Sequence, residues 1–206
     1  MNDMNRKNHW ETVYETKNSD QVSWTQELPK TSLDFIHSFE VDKTARIIDV
    51  GGGDSKLVDY LIDNWFENIT VLDISSKALD KAKSRLGDKA EKVNWIVSDI
   101  TEFEPNTTFD IWHDRATFHF LTTKEQVSKY LDIARKSVNV YMTIGTFSKN
   151  GPTKCSGLDI TQYDEQTLTA ELKNGFDKLK CVTEDHTTPF NTTQSFLFCS
   201  FKRQVG

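Results

Sequence analysis

Cysteine, proline and glycine are all scarce in this 206-residue sequence, and each scarcity narrows what the chain can be. The three cysteines, Cys155, Cys181 and Cys199, are odd in number and confined to the last third. They do not form a disulfide framework and are read as free thiols. Four scattered prolines and nine glycines leave no flexible linker, and no repeat interrupts the chain, so a single domain over residues 1–206 is expected. Basic side chains are in the minority, 25 against 31 acidic, giving a net charge of −6. That disfavours a nucleic-acid partner, because the broad positive surface that releases counterions from phosphates is missing. No run of 18 apolar residues occurs, and the stretch Met1–Asn8 has no hydrophobic segment of the secretory kind. A cytoplasmic protein with no membrane partner is expected. What remains is 27% charged and 36% hydrophobic with 13 Phe and 5 Trp, the profile of a folded chain whose core is rich in aromatics.

Hydrophobic periodicity divides the chain into two parts. Residues 1–40 read as a helical lead-in, with Trp10, Val13 and Tyr14 on one face and Leu33, Ile36 and Phe39 on a second helix after Pro29. From residue 45 to 202 the pattern alternates. Ala45–Val50 is a β-branched apolar run stopped by Gly51, Gly52 and Gly53, and a helix follows with Leu57, Val58, Leu61, Ile62 and Trp65 as its stripe and Asp54 or Ser55 as its cap. Ile69–Ile74 is a second strand, then a helix opened by Ser75 or Ser76 with Ala78, Leu79, Ala82 and Leu86 on one side. Val93–Ser98, Phe109–His113 and Asn139–Ile144 are three more strands, the last preceded by a helix through Val127, Tyr130, Leu131, Ala134 and Val138. This is the alternation of a parallel doubly wound α/β sheet. After a helix near Tyr163–Lys173, Phe176–Glu184 and Ser195–Lys202 suit an antiparallel hairpin at the sheet edge. If that hairpin turns about position 190, Cys181 and Cys199 come close, whereas a slip of one residue separates their faces.

The glycine turn at the carboxyl end of the first strand removes Cβ atoms where a ligand must approach the backbone, next to a helix N-terminus that favours anionic groups. Asp73, 22 residues after Gly51, ends the second strand, where a carboxylate can accept from both hydroxyls of a ribose. Asp99 follows the third strand and can accept from an adenine amine while Ile74 and Ile100 flank the ring. These features point to an adenosine-type ligand. The dinucleotide pattern asks for a third glycine where this chain has Lys56, which disfavours NAD.

With those residues in place the sequence resembles the class I S-adenosylmethionine-dependent methyltransferases, through Asp49-Val50-Gly51-Gly52-Gly53, Val71-Leu72-Asp73-Ile74-Ser75, Ser98-Asp99-Ile100 and Phe109-Asp110-Ile111-Trp112-His113. The resemblance implies a Rossmann-like, seven-stranded, mostly parallel sheet with an antiparallel last strand and helices on both faces. It also implies S-adenosyl-L-methionine as cofactor, with Gly51 and Gly53 under its methionine portion, Asp73 on the ribose, and Ile74, Asp99 and Ile100 around adenine, while Asp49, Gly52 and Trp24 are further candidates for binding it. More narrowly, Trp112-His113-Asp114-Arg115-Ala116-Thr117-Phe118-His119-Phe120-Leu121 with Lys154-Cys155-Ser156-Gly157-Leu158 is similar to a poorly characterised, mostly bacterial subgroup. His9-Trp10-Glu11 and Val22-Ser23-Trp24 resemble lysine methyltransferases of translation elongation factors, although those carry Asp-Lys-Gly where this chain has Asp114-Arg115-Ala116.

The acceptor is expected to meet the methyl group beside the segment after the fourth strand, where His113, Asp114, Arg115 and His119 crowd together. Asp114 or His119 can serve as a base if the nucleophile arrives protonated, His113 can touch cofactor, and Arg115 can pair with an anionic substrate or with Asp114. Trp10, Tyr14 and Trp24 can close over the crevice. Cys155 can bind a soft acceptor or lie buried and inert. No metal site is expected, since no paired cysteine motif or histidine cluster is present. A small-molecule acceptor is the first reading for so compact a chain. A protein-lysine methyltransferase and a non-catalytic cofactor-binding module remain alternatives, and oligomeric state is not encoded in any feature of the sequence.

Overall fold

A computed structural model describes the backbone of residues 3–204 and the side chains of residues 6–204. The first two residues of the Met1–Asn8 stretch, and residues 205 and 206, lie outside the described residues. In chain order the elements are α1 (Asp3–Thr16), α2 (Lys30–Ser38), β1 (Arg46–Val50), α3 (Leu57–Asp63), β2 (Asn68–Asp73), α4 (Ser76–Leu86), β3 (Val93–Val97), β4 (Phe109–Arg115), α5 (Lys124–Ser137), β5 (Val138–Phe147), β6 (Lys154–Cys155), β7 (Leu158–Asp159), α6 (Glu165–Leu172), β8 (Phe176–Thr187) and β9 (Thr193–Arg203).

Seven strands form one sheet in the order β3-β2-β1-β4-β5-β9-β8. The first five run parallel, and β9 is antiparallel to both β5 and β8. The chain walks outward from β1 to β3, then crosses back to place β4 on the other side of β1. Those two directions part at the carboxyl ends of β1 and β4, which opens a crevice there. The hairpin at the end of the chain does not simply append to the edge: β9 is inserted beside β5 and β8 takes the outside.

Alternation along each buried strand feeds two cores. Ile47, Ile69, Val71 and Ile111 pack with α2, α3 and α4 through Leu33, Ile36, Leu57, Leu61 and Leu79. Ile48, Val50, Leu72 and Trp112 face the other way, onto α5 and α6 through Tyr130, Leu131, Ala134, Leu168 and Leu172. The period of two sends neighbouring strand residues to opposite faces, so a sheet covered on both sides needs apolar side chains at every position. Ile47, Ile48 and Val50 have no exposure at all.

Several expectations need correction. Trp65 is not part of the α3 stripe: the helix ends at Asp63, and Trp65 sits in a left-handed turn at φ +65° with 79% of its surface exposed. Neither Asp54 nor Ser55 occupies the N-cap of α3, which is Lys56: the Asp54 carboxylate is paired with Arg85, and Ser55 Oγ accepts from Leu57 N, two residues on, at 3.1 Å. Ser75 caps α4 as expected, accepting from Ala78 N. Strand β4 continues two residues past His113, so Asp114 and Arg115 are strand residues paired with Ile144 and Gly145. Cys181 and Cys199 are not free thiols. They lie directly opposite in the β8–β9 register with Cα atoms 4.1 Å apart and are joined as a disulfide, while Cys155 is free and buried. The hairpin does turn about position 190, which is why the two sulfurs share a face. Among the described residues, no helix is long and apolar enough to cross a membrane.

Candidate functional site

A cavity of about 960 Å³ occupies the switch-point crevice and runs under the N-terminal segment. Asp49, Gly51, Gly52, Asp73, Ile74, Asp99, Ile100 and Trp24 all line it. Gly53 is not among the lining residues, and its lack of a side chain has another cause: at φ +46° a Cβ would lie 2.9 Å from both Asp73 Oδ2 and the Tyr14 hydroxyl. Gly51, at φ +67°, is crossed closely by the Thr117 side chain, which hydrogen-bonds the Val50 carbonyl at 3.2 Å.

Three carboxylates stand at the ends of three adjacent strands. Asp49 is buried and its Oδ1 accepts from His113 Nδ1 at 2.7 Å. Asp73 is buried and accepts from Ser75 N at 2.8 Å. Burial, reinforced by Asp49 and Glu11 nearby, pushes its pKa up to about 7 although the Ser75 and Ile74 amides work the other way. Asp99 Oδ1 accepts from Thr101 N and Oγ1, and its Oδ2 pairs with Arg6 at 2.8 Å.

Helix α1 roofs this cavity, and the contacts holding it are polar at one face and aromatic at the other. Glu11 accepts from Ser76 N at 2.9 Å, Lys77 N at 3.2 Å and the hydroxyls of Ser75 and Ser76, so a residue of one helix caps the N-terminus of another. Burial opposes its charge, but these bonds outweigh it and hold the Glu11 carboxyl below its ordinary pKa. Trp10 meets Trp24 edge-on at 5.6 Å and Phe120 at 5.2 Å, and His9 Nε2 lies 3.3 Å from Ser156 Oγ. Neither Arg6 nor Glu11 was legible as a site residue, since their partners are 93 and 64–66 residues away and no local pattern announces them.

The four residues of the β4 segment separate. His113 and Arg115 line the cavity; Asp114 and His119 do not. His113 is held between Asp49 and Ser32 Oγ, the latter 2.9 Å from Nε2, which ties β4 to β1 and α2. Asp114, with no exposure, accepts from Thr117 N at 3.0 Å, Phe118 N at 3.1 Å and the Tyr130 hydroxyl at 2.8 Å. Its carboxylate braces the turn after β4 and does not line the cavity, so the geometry argues against its use as a base. Burial raises its pKa to about 6 despite those donors. His119 Nδ1 accepts from Phe147 N at 3.3 Å, its ring stacks on Phe147, and burial together with Arg115 lowers its pKa to about 3. A ring that neutral, with its lone pair taken, is poorly placed to collect a proton. Arg115 Nη1 donates to the Trp24 carbonyl at 2.9 Å. Cys155 lines the cavity, and burial pushes its thiol up to about 12.

Comparison with known proteins decides the architecture. Residues 47–139 match the methyltransferase domain family. The chain can be superposed on the N-methyltransferase NodS from Bradyrhizobium japonicum, solved with S-adenosyl-L-homocysteine, with a TM-score of 0.71, covering 95% of this chain and 98% of that one at 14% identity. The fold is that of the Rossmann-like methyltransferases. Curated relatives with this domain include a malonyl-[acyl-carrier protein] O-methyltransferase of Anoxybacillus flavithermus, 32% identical over 124 residues. They also include the eEF1A lysine and N-terminal methyltransferase of Mus musculus, 23% identical over 119 residues. Those matches span 58% and 57% of this chain, and only 47% and 17% of the respective relatives. In open α/β sheets the crevice at a topological switch point is the general ligand position, and here the β1–β4 crevice coincides with the cavity.

Proposed function

We propose that this chain is an S-adenosylmethionine-dependent methyltransferase acting on a small molecule. The observation that carries the reading is that Asp49, Asp73 and Asp99, at the ends of three adjacent strands, share one cavity with the Gly51–Gly52 turn. This set of acceptors suits the cofactor's chemistry, which offers two ribose hydroxyls and an adenine amine as donors and carries positive charge on its sulfonium and ammonium. Asp73 would accept from the ribose, Ile74, Asp99 and Ile100 would flank adenine, and Asp49 with Gly51 and Gly52 would hold the methionine portion, while Gly53, which does not line the cavity, would let the turn pack against Asp73 and Tyr14. Trp24 would cover the cofactor from the lead-in.

The cofactor supplies a methyl group on a cationic sulfur, open to in-line displacement by a nucleophile. The chain's own part is to position and to exclude water. His113 keeps Asp49 oriented, Asp114 fixes the turn that carries Thr117, and His119 supports Phe147; each acts through another group. Arg115 faces the acceptor. Residues 1–40 serve as the lid and residues 45–202 as the core of one domain. A roof formed by α1 favours an acceptor small enough to be enclosed, and the resemblance to a malonyl-[acyl-carrier protein] O-methyltransferase supports an acceptor other than lysine. The likeness to an eEF1A methyltransferase supports the alternative, a protein lysine acceptor.

Incubation with methyl-labelled S-adenosylmethionine and a dialysed lysate, with and without its low-molecular-weight pool, tests the reading. Label in the small fraction only when the pool is restored is the expected result. Enzyme-dependent label on a discrete protein band would put the lysine alternative first. Cofactor binding with no transfer in either fraction would favour the non-catalytic module.

A further inference from the structure

Part of the cavity lining is built from different chemistry. Trp10, Trp24, Phe120 and Phe147 form it together with Arg115 and Cys155. Arg115 is the last residue of β4, and its guanidinium lies 4.7 Å from the centre of the Phe196 ring. Nη1 is spoken for by the Trp24 carbonyl, whereas Nε and Nη2 are buried and have no hydrogen-bond partner among the described residues. Leaving donors of a charged group unsatisfied away from water is expensive, and native structures keep such groups where something recovers the loss. Burial lowers the Arg115 pKa to about 10, so it stays cationic at neutral pH.

The charged neighbours do not complete it. Glu184 and Asp49 both attract Arg115, but neither bonds it: Glu184 Oε1 accepts from Gln26 Nε2 at 3.3 Å and its Oε2 has no partner among the described residues, while Asp49 Oδ1 accepts from His113 Nδ1. Glu184 does not line the cavity. Cys155, held neutral by burial, adds a soft apolar surface and no competing anion. An acceptor entering this part of the cavity therefore meets aromatic faces and one cation.

We propose that Arg115 selects the acceptor by its charge: the substrate class is an aromatic or otherwise apolar small molecule bearing a carboxylate, the carboxylate held by Arg115 and the body by Trp10, Trp24, Phe120 and Phe147. This deepens the methyltransferase reading and rests on it. A planar guanidinium matches a carboxylate with two parallel N–H donors, which a lysine ammonium cannot reproduce. The same cation repels a substrate lysine, which weighs against the protein alternative.

The test is calorimetric titration of matched probes into the full chain saturated with S-adenosylhomocysteine: 3-indolepropionate and its primary amide, 4-hydroxyphenylacetate and its amide, thiosalicylate and its amide, and the cation tyramine. At least one carboxylate should bind about tenfold or more tightly than its amide, and Arg115→Gln, titrated at S-adenosylhomocysteine concentrations that still saturate it, should erase that preference. Arg115→Lys, which keeps the charge and loses the fork, should weaken the preference by about threefold or more; this variant carries the test if Arg115→Gln fails to fold. The proposal is overturned if no carboxylate is preferred, if tyramine binds best, or if the preference survives in the variants. A wild-type chain that does not bind S-adenosylhomocysteine would instead sink the cofactor assignment beneath it, and the proposal with it.

Discussion

Asp73 carries a carboxyl near pKa 7 in the folded chain against an ordinary value of 3.8. The folded state therefore binds its proton more tightly than the unfolded one, so this group's contribution to stability is full below about pH 4 and is lost as pH rises through 7. Asp114, raised to about 6, acts in the same direction. A ligand that needs the ionised carboxylate has the opposite preference. The melting-temperature increase given by S-adenosylhomocysteine should accordingly be larger at pH 8 than at pH 6, and Asp73→Asn should flatten that difference. Asp73→Ala should weaken the ligand by at least ~1.5 kcal/mol, about tenfold, in a calorimetric titration; unchanged affinity would remove Asp73 from the ribose site. Asp114→Asn separates brace from base. The amide turns a hydrogen toward Tyr130, whose hydroxyl already accepts from Trp112 Nε1 at 2.8 Å, so a loss of about 1–3 kcal/mol in denaturant unfolding is expected. A variant of undiminished stability with no turnover would restore the base.

Helix α1 is held to the rest by a few polar ties rather than by a broad apolar face: its described side chains include one buried hydrophobic residue, Val13. Removing the Glu11 carboxylate frees the N-terminus of α4 and costs about 1 kcal/mol, comparable to the loss of a cap. Protease cleavage between residues 17 and 28 should then quicken about fivefold if it follows the opened population. An unchanged rate would show that the aromatic contacts alone keep the roof shut. The element scale is also where the sequence was most readable. Runs such as Ile47-Ile48-Asp49-Val50 and the stripe of α4 declare themselves because local period and burial agree. Trp65 misled for the opposite reason: its spacing continues the α3 pattern, but a left-handed turn after Asn64 rotates it to solvent. The extra length of β4 was hidden because Asp114 and Arg115 are polar residues that a strand accepts only when partners such as Tyr130 and Trp24 arrive from elsewhere in the chain.

At the scale of the molecule, the strand-end carboxylates were legible because a parallel sheet forces every carboxyl end to one edge, so counting strands locates Asp49, Asp73 and Asp99 together. The sorting of the β4 cluster was not, since a one-dimensional pattern carries no record of which side of a strand end opens to the crevice. The disulfide lay between these cases: the arithmetic of the hairpin allowed it, and only the register settled it. Cys181 and Cys199 close 18 residues of chain. A loop of that size is worth up to about 3 kcal/mol through the unfolded state, or roughly 6–12 °C in melting temperature for a chain of this length. Thermal unfolding with and without reductant should show that difference, and Cys181→Ser should abolish its dependence on reductant.

Helix α1 touches both sides of the cavity at once, Arg6 at Asp99 and His9 and Trp10 at Ser156 and Phe120. The roof thus spans the cavity from the Asp99 side to the aromatic side. On the proposed function, exchange of spent cofactor and departure of methylated product would share one opening event, the lifting of this helix, and that event would set the pace of the cycle. Mixed rapidly with both substrates, the protein should give a fast first turnover of one methyl group per chain, followed by a slower steady rate that Glu11→Ala accelerates.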